Sequence, residues 1–364
     1  MKFVCDGLTL SEAVMKVSKA CAVRTTAPIM ECIKITATVD EISLLATDGE
    51  ISIRKQFKAE VLEEGEICVP GKLFADFSSK LMGEEICLAT GERGVEIKYR
   101  DSVSYMQALA AEDFPKIDLE IGENSFVMKQ ENLKRVISET TFCCAQDESR
   151  PVLKGCLMVF ENGLEVIALD GYRLALSWAE VVAKSEECSI ICPARTLTEI
   201  SRMLTGEGEI ILYTKGGMLL VSSEGLTIVS RLYQGDFIKK ESVIPNSFTT
   251  TVTLRRAEIV ASAERAAIFN RGDKNNLVTL DIGTAGVKIT SVSDYGNVSE
   301  VVDAEVEGRE LVISMNAKFL LDALRALDDE KIVISFNGAI SPFILQNKEE
   351  KHSLYLILPV RNAA

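Results

Sequence analysis

The chain repeats itself at an interval of about 122 residues, and that period limits every fold open to it. At a shift of 123, Leu10 falls on Leu133, Cys21 on Cys144, Pro28 on Pro151 and Pro70 on Pro193. At a shift of 122, Ala46-Thr-Asp48-Gly49 falls on Ala168-Leu-Asp170-Gly171. The shift is again 123 where Asp113-Phe114 meets Asp236-Phe237. A fainter third copy shows in Ser314-Met-Asn-Ala-Lys-Phe-Leu-Leu-Asp-Ala-Leu, which resembles the segments after Pro70 and Pro193. Three such copies account for the 364 residues, and each is too long for a solenoid unit yet long enough to own a core. The boundaries read as 1–120, 121–244 and 245–364, with Pro115 and Pro245 in the connectors.

Apolar spacing at three and four residues predicts helices over 8–23, 71–82, 130–144, 194–204, 254–269 and 316–327. Pro70, Pro193 and the Ser314-Met-Asn316 run supply starts suited to a first turn. Runs such as Glu31-Cys-Ile-Lys-Ile-Thr, Gly163-Leu-Glu-Val-Ile-Ala-Leu and Lys331-Ile-Val-Ile-Ser-Phe alternate as strands do. The turns Asp48-Gly49, Asn162-Gly163, Gly216-Gly217 and Asn337-Gly338 predict antiparallel hairpins between them. The fold class is therefore α+β, with three repeated domains of two helices on antiparallel sheet.

No apolar run approaches a membrane span, and Met1-Lys-Phe-Val-Cys-Asp lacks the pattern of a secretory signal, so a cytoplasmic protein is expected. All ten cysteines lie between Cys5 and Cys192. A disulfide framework integral to the repeat would recur in the third copy, so reduced thiols serving as small core residues are expected. Cys188-x-x-x-Cys192 and Cys143-Cys144 lack a paired C-x-x-C and the only histidine is His352, which argues against a metal. That histidine, in an exposed-looking Lys-Glu-Glu-Lys-His run, is a poor acid-base candidate, and no Gly-rich phosphate loop appears. The repeated Asp-Gly reads as turn chemistry, and neither an enzyme nor a cofactor is expected.

The net charge is -14, but it is unevenly spread. The six helical segments hold thirteen Lys or Arg against eight acids, with at least two cations in each. Basic helices on an acidic scaffold would form a polyanion-facing surface if the copies were arranged round an axis. A bare reading of helix propensity, in which lysine and arginine merely solvate helix faces, accounts for the same residues.

Ala168-Leu-Asp-Gly-Tyr-Arg-Leu-Ala-Leu176, Ser149-Arg-Pro-Val-Leu-Lys-Gly155, Gly235-Asp-Phe237 with Val243-Ile-Pro245, and Leu358-Pro-Val-Arg361 together resemble the bacterial sliding clamp family, the beta subunit of DNA polymerase III. The resemblance runs in order from Met1 to the last residues. It implies a head-to-tail homodimeric ring of the DNA clamp fold that encircles duplex DNA without reading sequence and confers processivity on a polymerase. By the resemblance, Arg24, Lys72, Lys80, Arg150, Arg195 and Arg202 face DNA. A cleft between the second and third domains would receive short linear peptides of the replicative polymerase, clamp loader and repair proteins. Its matching positions are Leu153, Leu169, Gly171, Tyr172, Arg173, Leu174, Val243, Asn316, Phe319, Leu356, Leu358, Pro359, Val360 and Arg361, with Arg173 and Asn316 as groups able to bond the peptide. Met106, Ile268 and Phe269 match interface positions, with a place in the core of their own domain as the alternative reading. Tyr172 stands where the family usually has histidine, Leu169 where threonine is common, Ile238 where proline is usual and Ser242 where a basic residue is frequent. These departures imply a more apolar cleft with altered peptide preference. A triplicated peptide-binding adaptor that stays monomeric is the alternative reading.

Overall fold

The structure, a computed structural model, describes every residue except 82, 123, 148, 270–275, 295 and 362–364. The expected ends of the second helix at 82 and of the third domain at 364 fall outside the described residues. Six α-helices are present among them: α1 Gly7–Val17, α2 Gly71–Ser78, α3 Gln130–Thr140, α4 Ala194–Met203, α5 Arg256–Phe269 and α6 Ala317–Ala326. Each matches one predicted segment. Three of them, α1, α2 and α3, end well before their apolar spacing predicts, and for α1 and α3 the cause is local. After α1 the chain tightens into a 3-10 turn at Ser18–Ala20. At the end of α3, Thr140 and Thr141 hydroxyls donate to the carbonyls of Val136 and Ile137 at 2.6 and 2.9 Å, and a 3-10 turn over Thr141–Cys143 follows. At the other end of the fifth segment, the residues before Arg256 belong to the strand Thr250–Arg255.

The helix starts follow from residue chemistry. Asp6 accepts the Thr9 amide at 2.8 Å as the cap of α1. Pro70 opens α2 with no side-chain cap, whereas Asn316 opens α6 by accepting the amides of Lys318 and Phe319. The third copy thus replaces a preset φ with a side-chain cap at the same place. Leu10, Val14 and Val17 form the buried stripe of α1, and Leu320, Leu321 and Leu324 that of α6. Each such side chain contributes roughly 1.5–3 kcal/mol on leaving water.

The chain divides into two compact units, 1–130 with 182–186 and 202–232, and 131–181 with 187–201 and 233–364. In the first, a nine-stranded antiparallel sheet runs Ala183–Lys184, Asn124–Lys129, Glu209–Lys215, Met218–Ser223, Leu226–Arg231, Ile51–Lys58, Glu41–Thr47, Cys32–Thr38, Gly65–Pro70. Five of its strands belong to the second repeat and four to the first; Leu226–Arg231 joins Ile51–Lys58 with Thr227 opposite Arg54. A separate five-stranded sheet ends at Ser102–Met106. In the second unit, four strands of the second repeat join five of the third, with Arg173–Ala179 against Ser353–Ile357 and Ala175 opposite Tyr355. A separate four-stranded sheet ends at Gly296–Val302. The central repeat lends strands to both large sheets, which is why three repeats make two compact units.

All ten cysteines are unbridged and seven are buried, in keeping with their reading as core residues. Among the described residues no helix is long and apolar enough to cross a membrane.

Candidate functional site

The cleft residues lie in the second unit, and the turn that positions them is built by the repeated Asp-Gly. Asp170 Oδ1 accepts the amides of Tyr172 and Arg173 at 2.9 and 3.1 Å, and Gly171 takes φ +92°. In the first repeat Asp48 Oδ1 accepts the amides of Glu50 and Ile51 at 3.0 and 2.9 Å, and Gly49 takes φ +90°. A positive φ of this size suits glycine, so both turns need their Asp-Gly pair. The neighbouring strand docks the same way in each copy: Leu358 N–H donates to Tyr172 O at 2.9 Å, and Arg231 N–H to Glu50 O at 3.0 Å.

What differs is the apolar surface beside each turn. In the first copy Cys32, Cys68, Ala111 and Phe114 form a small buried cluster, with Ile29 and Leu45 partly buried against it. In the second copy Leu153, Ile167, Leu169, Leu174, Ile344 and Leu356 form the floor, and ten partly buried apolar side chains surround it. These include Val152, Phe237, Ile238, Val243, Ile244 and Leu358. The third repeat supplies Ile344, Leu356 and Leu358, so the wider apolar surface arises where its strands extend the central sheet. The expected cleft residues therefore sort by depth: Leu153, Leu169, Leu174 and Leu356 are buried, Val243, Phe319, Leu358, Pro359 and Val360 are half-buried, and Gly171, Tyr172 and Arg361 are exposed. The C-terminal run is held in place by Val360 N–H donating to Ser314 O at 2.8 Å.

Arg173 and Asn316 both have partners within the chain. Arg173 is 8% exposed, and its guanidinium donates from Nε to Asp170 at 3.0 Å, from Nη1 to Asp322 at 2.7 Å and from Nη2 to Phe142 O at 2.7 Å. Its planar group also lies 4.5 Å from the Phe319 ring centroid and 5.5 Å from that of Phe142. Beyond it Tyr172 stacks on Phe319 at 6.4 Å, and Phe142 on Tyr355 at 5.9 Å. Asn316 Oδ1 is engaged as the cap of α6. The sequence signal for this was present in Asp170 and Asp322, but only the fold brings Asp322 of α6 to Arg173.

The expected DNA-facing residues Arg24, Lys72, Lys80, Arg150, Arg195 and Arg202 are all exposed. Arg150 sits at the head of a turn whose base is closed by Ala145 N–H donating to Leu153 O at 2.8 Å, which ties that turn to the cleft floor. Several other helix cations pair with acids, Arg135 with Glu139 among them. Arg255 pairs with Glu258 at 2.5 Å, Arg265 with Glu300 at 2.5 Å and Arg325 with Glu264 at 2.7 Å. Hydrogen bonding to Arg265 holds the Glu300 carboxyl below its ordinary range. In and around α5 and α6, Arg255, Arg265 and Arg325 are thus engaged in ion pairs.

The expected interface positions differ in exposure. Met106 is buried inside its own sheet at 5% exposure, while Val103 and Tyr105 of the same edge strand are 49% and 63% exposed. The alternation of Ser102-Val-Ser-Tyr-Met carries that signal, since odd and even positions take opposite faces. Ile268 is exposed, and the Phe269 ring lies against Gly296 on the edge strand of the four-stranded sheet. His352, expected to be exposed, is half-buried: its Nε2 lies 3.2 Å from Glu139, itself bonded by Arg135 at 3.1 Å and Ser177 at 2.5 Å. It braces the strand Ser353–Ile357 against α3.

Three family models match in order: the N-terminal domain of the DNA polymerase III beta subunit over residues 1–118, its central domain over 127–239 and its C-terminal domain over 241–361. Beta sliding clamps of Staphylococcus aureus and Staphylococcus epidermidis are 32% and 31% identical over 356 residues, covering 94% of each chain. The crystal structure of the DNA polymerase sliding clamp from Bacillus subtilis superposes with a TM-score of 0.95 at 29% identity, covering 100% of this chain and 99% of that one. The repeats, the interleaved sheets and these matches have one reading: the chain belongs to the DNA polymerase III beta subunit family and is a DNA sliding clamp for a replicative polymerase.

Proposed function

We propose that two copies close head to tail into a ring around duplex DNA, and that the cleft of the second unit tethers replication and repair proteins through short linear peptides. One observation carries the ring. Each repeat owns a five-stranded and a four-stranded portion of sheet, and inside the chain five joins four twice to give nine strands. Left over are a five-stranded sheet in the first repeat, edged by Ser102–Met106, and a four-stranded sheet in the third, edged by Gly296–Val302. These edges occupy the places that Leu226–Arg231 and Arg173–Ala179 take at the internal joints. An unpaired edge is an open set of backbone donors and acceptors, and the joint missing from the chain is the one a second copy supplies. The outward residues Val103 and Tyr105 on one edge, and Val301 on the other with Ile268 nearby on α5, supply apolar area for that contact.

In such a ring the three repeats act as three domains, and Arg24, Lys72, Lys80, Arg150, Arg195 and Arg202 offer phosphate contacts without base readout. Topological linkage makes tight contacts unnecessary, and it leaves the protein a non-catalytic processivity subunit acting where the DNA is, in the cytoplasm. The half-buried rim of Val243, Phe319, Leu358 and Val360 over a leucine floor suits aliphatic and aromatic peptide anchors.

The test is retention on circular DNA before and after linearisation, following loading by a clamp loader, with the mass of the free protein measured in parallel. A dimer retained on circles and lost from linear ends is expected. A monomer with equal retention on both would leave only the peptide-binding adaptor.

A further inference from the structure

We infer that Cys144 and Cys156 form an oxidisable dithiol, a modification site at which a small two-electron oxidant of the peroxide class closes a disulfide. Their Sγ atoms lie 3.5 Å apart, and the two residues are 2% and 0% exposed. A disulfide needs a separation of about 2.0 Å, so the sulfurs must approach by about 1.5 Å, a distance on the scale of side-chain rotation. The backbone between them is already tied. Ala145 N–H donates to Leu153 O at 2.8 Å, and Leu153 N–H to Arg150 O at 3.0 Å. Cys144 precedes the first of these bonds and Cys156 is the second residue of the strand Gly155–Phe160, so a covalent link between them fastens a base that is closed beforehand.

The repeat supplies the second support. Cys21 is the equivalent of Cys144, and Ala22 N–H donates to Met30 O at 2.9 Å as Ala145 does to Leu153. Cys32 stands opposite Pro70 as Gly155 stands opposite Pro193, which makes Ile33, 0% exposed, the equivalent of Cys156. Cys21 Sγ faces a backbone carbonyl, Cys32 O, at 3.8 Å. The fold at this place is thus satisfied by one thiol and an isoleucine, whereas the second copy sets two thiols in contact. That contact and then burial raise the Cys144 thiol well above its ordinary range. A protonated thiol is a slow nucleophile, so the pair stays reduced until an oxidant persists.

The chemistry balances with peroxide alone. The Cys144 sulfur attacks one peroxide oxygen, the O–O bond breaks, and the thiol proton joins the departing hydroxide as water, leaving a sulfenic acid. The Cys156 sulfur then attacks the sulfenic sulfur, the S–O bond breaks, and the hydroxide leaves with the Cys156 proton as a second water. The two sulfurs together lose two electrons, which the peroxide gains.

The experiment treats the full-length protein, reduced and then freed of reductant, with hydrogen peroxide under native conditions. The product is unfolded in excess iodoacetamide, digested without reductant and analysed by mass spectrometry. Peptides joined through Cys144 and Cys156, lighter by two hydrogens than the free pair and released by dithiothreitol, are expected. Cys156→Val is expected to lose this product; should that variant fold poorly, Cys144→Ala is expected to lose it as well. Recovery of both residues unjoined, or joined only when the peroxide is added in urea, would overturn the inference. So would equal yields of Cys144 joined to its neighbour Cys143 or to Cys192, which stands opposite Cys156 in the sheet.

Discussion

Single residues here are decided by what surrounds them. His352 looks like a solvated member of a charged run, yet it reaches a buried glutamate at 3.2 Å because Ser353–Ile357 is an inner strand of a nine-stranded sheet. Arg173 reads as a ligand-binding cation and proves to be enclosed by two carboxylates and two rings. The thiols follow the same logic. Burial, with smaller contributions from nearby acids and thiols, pushes Cys5, Cys21 and Cys68 from about 9 up to about 12. Their folded pKa exceeds the unfolded one, so the native state holds these protons while the unfolded chain loses them. Stability from these groups is complete below about pH 9 and is lost as pH rises towards about 12. The urea midpoint should therefore fall between about pH 8.5 and about pH 10.5, and fall less steeply when the three are changed to alanine. Parallel curves for the two proteins would show that these thiols do not carry the effect.

Elements are the most legible level, because their signals are local. Pro70, Pro193 and Asn316 mark three helix starts through a fixed φ or a side-chain acceptor, chemistry that needs no tertiary partner. The paired Asx turns at Asp48 and Asp170 are equally local. Asn316→Ala should cost about 1 kcal/mol of stability by urea unfolding, since it leaves the Lys318 and Phe319 amides without their acceptor. Pro70→Ala removes no side-chain acceptor and should cost less; equal losses would contradict the capping account. Strand edges are harder to read. Which face of Ser102–Met106 turns outward depends on the sheet behind it: Val103 and Tyr105 are the exposed residues and Met106 the buried one.

At the scale of the whole molecule, charge and topology work together. In the proposed ring, a net charge of -14 would disfavour duplex DNA on the general surface, and exposed Arg24 and Arg150 would offer contacts to phosphate. Arg24→Ala with Arg150→Ala should shorten retention on nicked circles and reduce the salt slope by about 0.9 for each phosphate no longer neutralised, with an unchanged thermal unfolding curve. Retention unchanged across salt concentrations would remove both residues from the DNA surface. By itself the sequence determined the threefold repeat, the helix starts, the Asp-Gly turns and the resemblance to the clamp family, because each is written in residues close together or recurring at a fixed interval. Only the tertiary structure decided that the central repeat divides its strands between two sheets, that Asp322 and Asp170 enclose Arg173, and that Arg265 and Arg325 are neutralised by nearby glutamates. Those outcomes depend on residues far apart in the chain meeting in space, for which a linear pattern carries no distance.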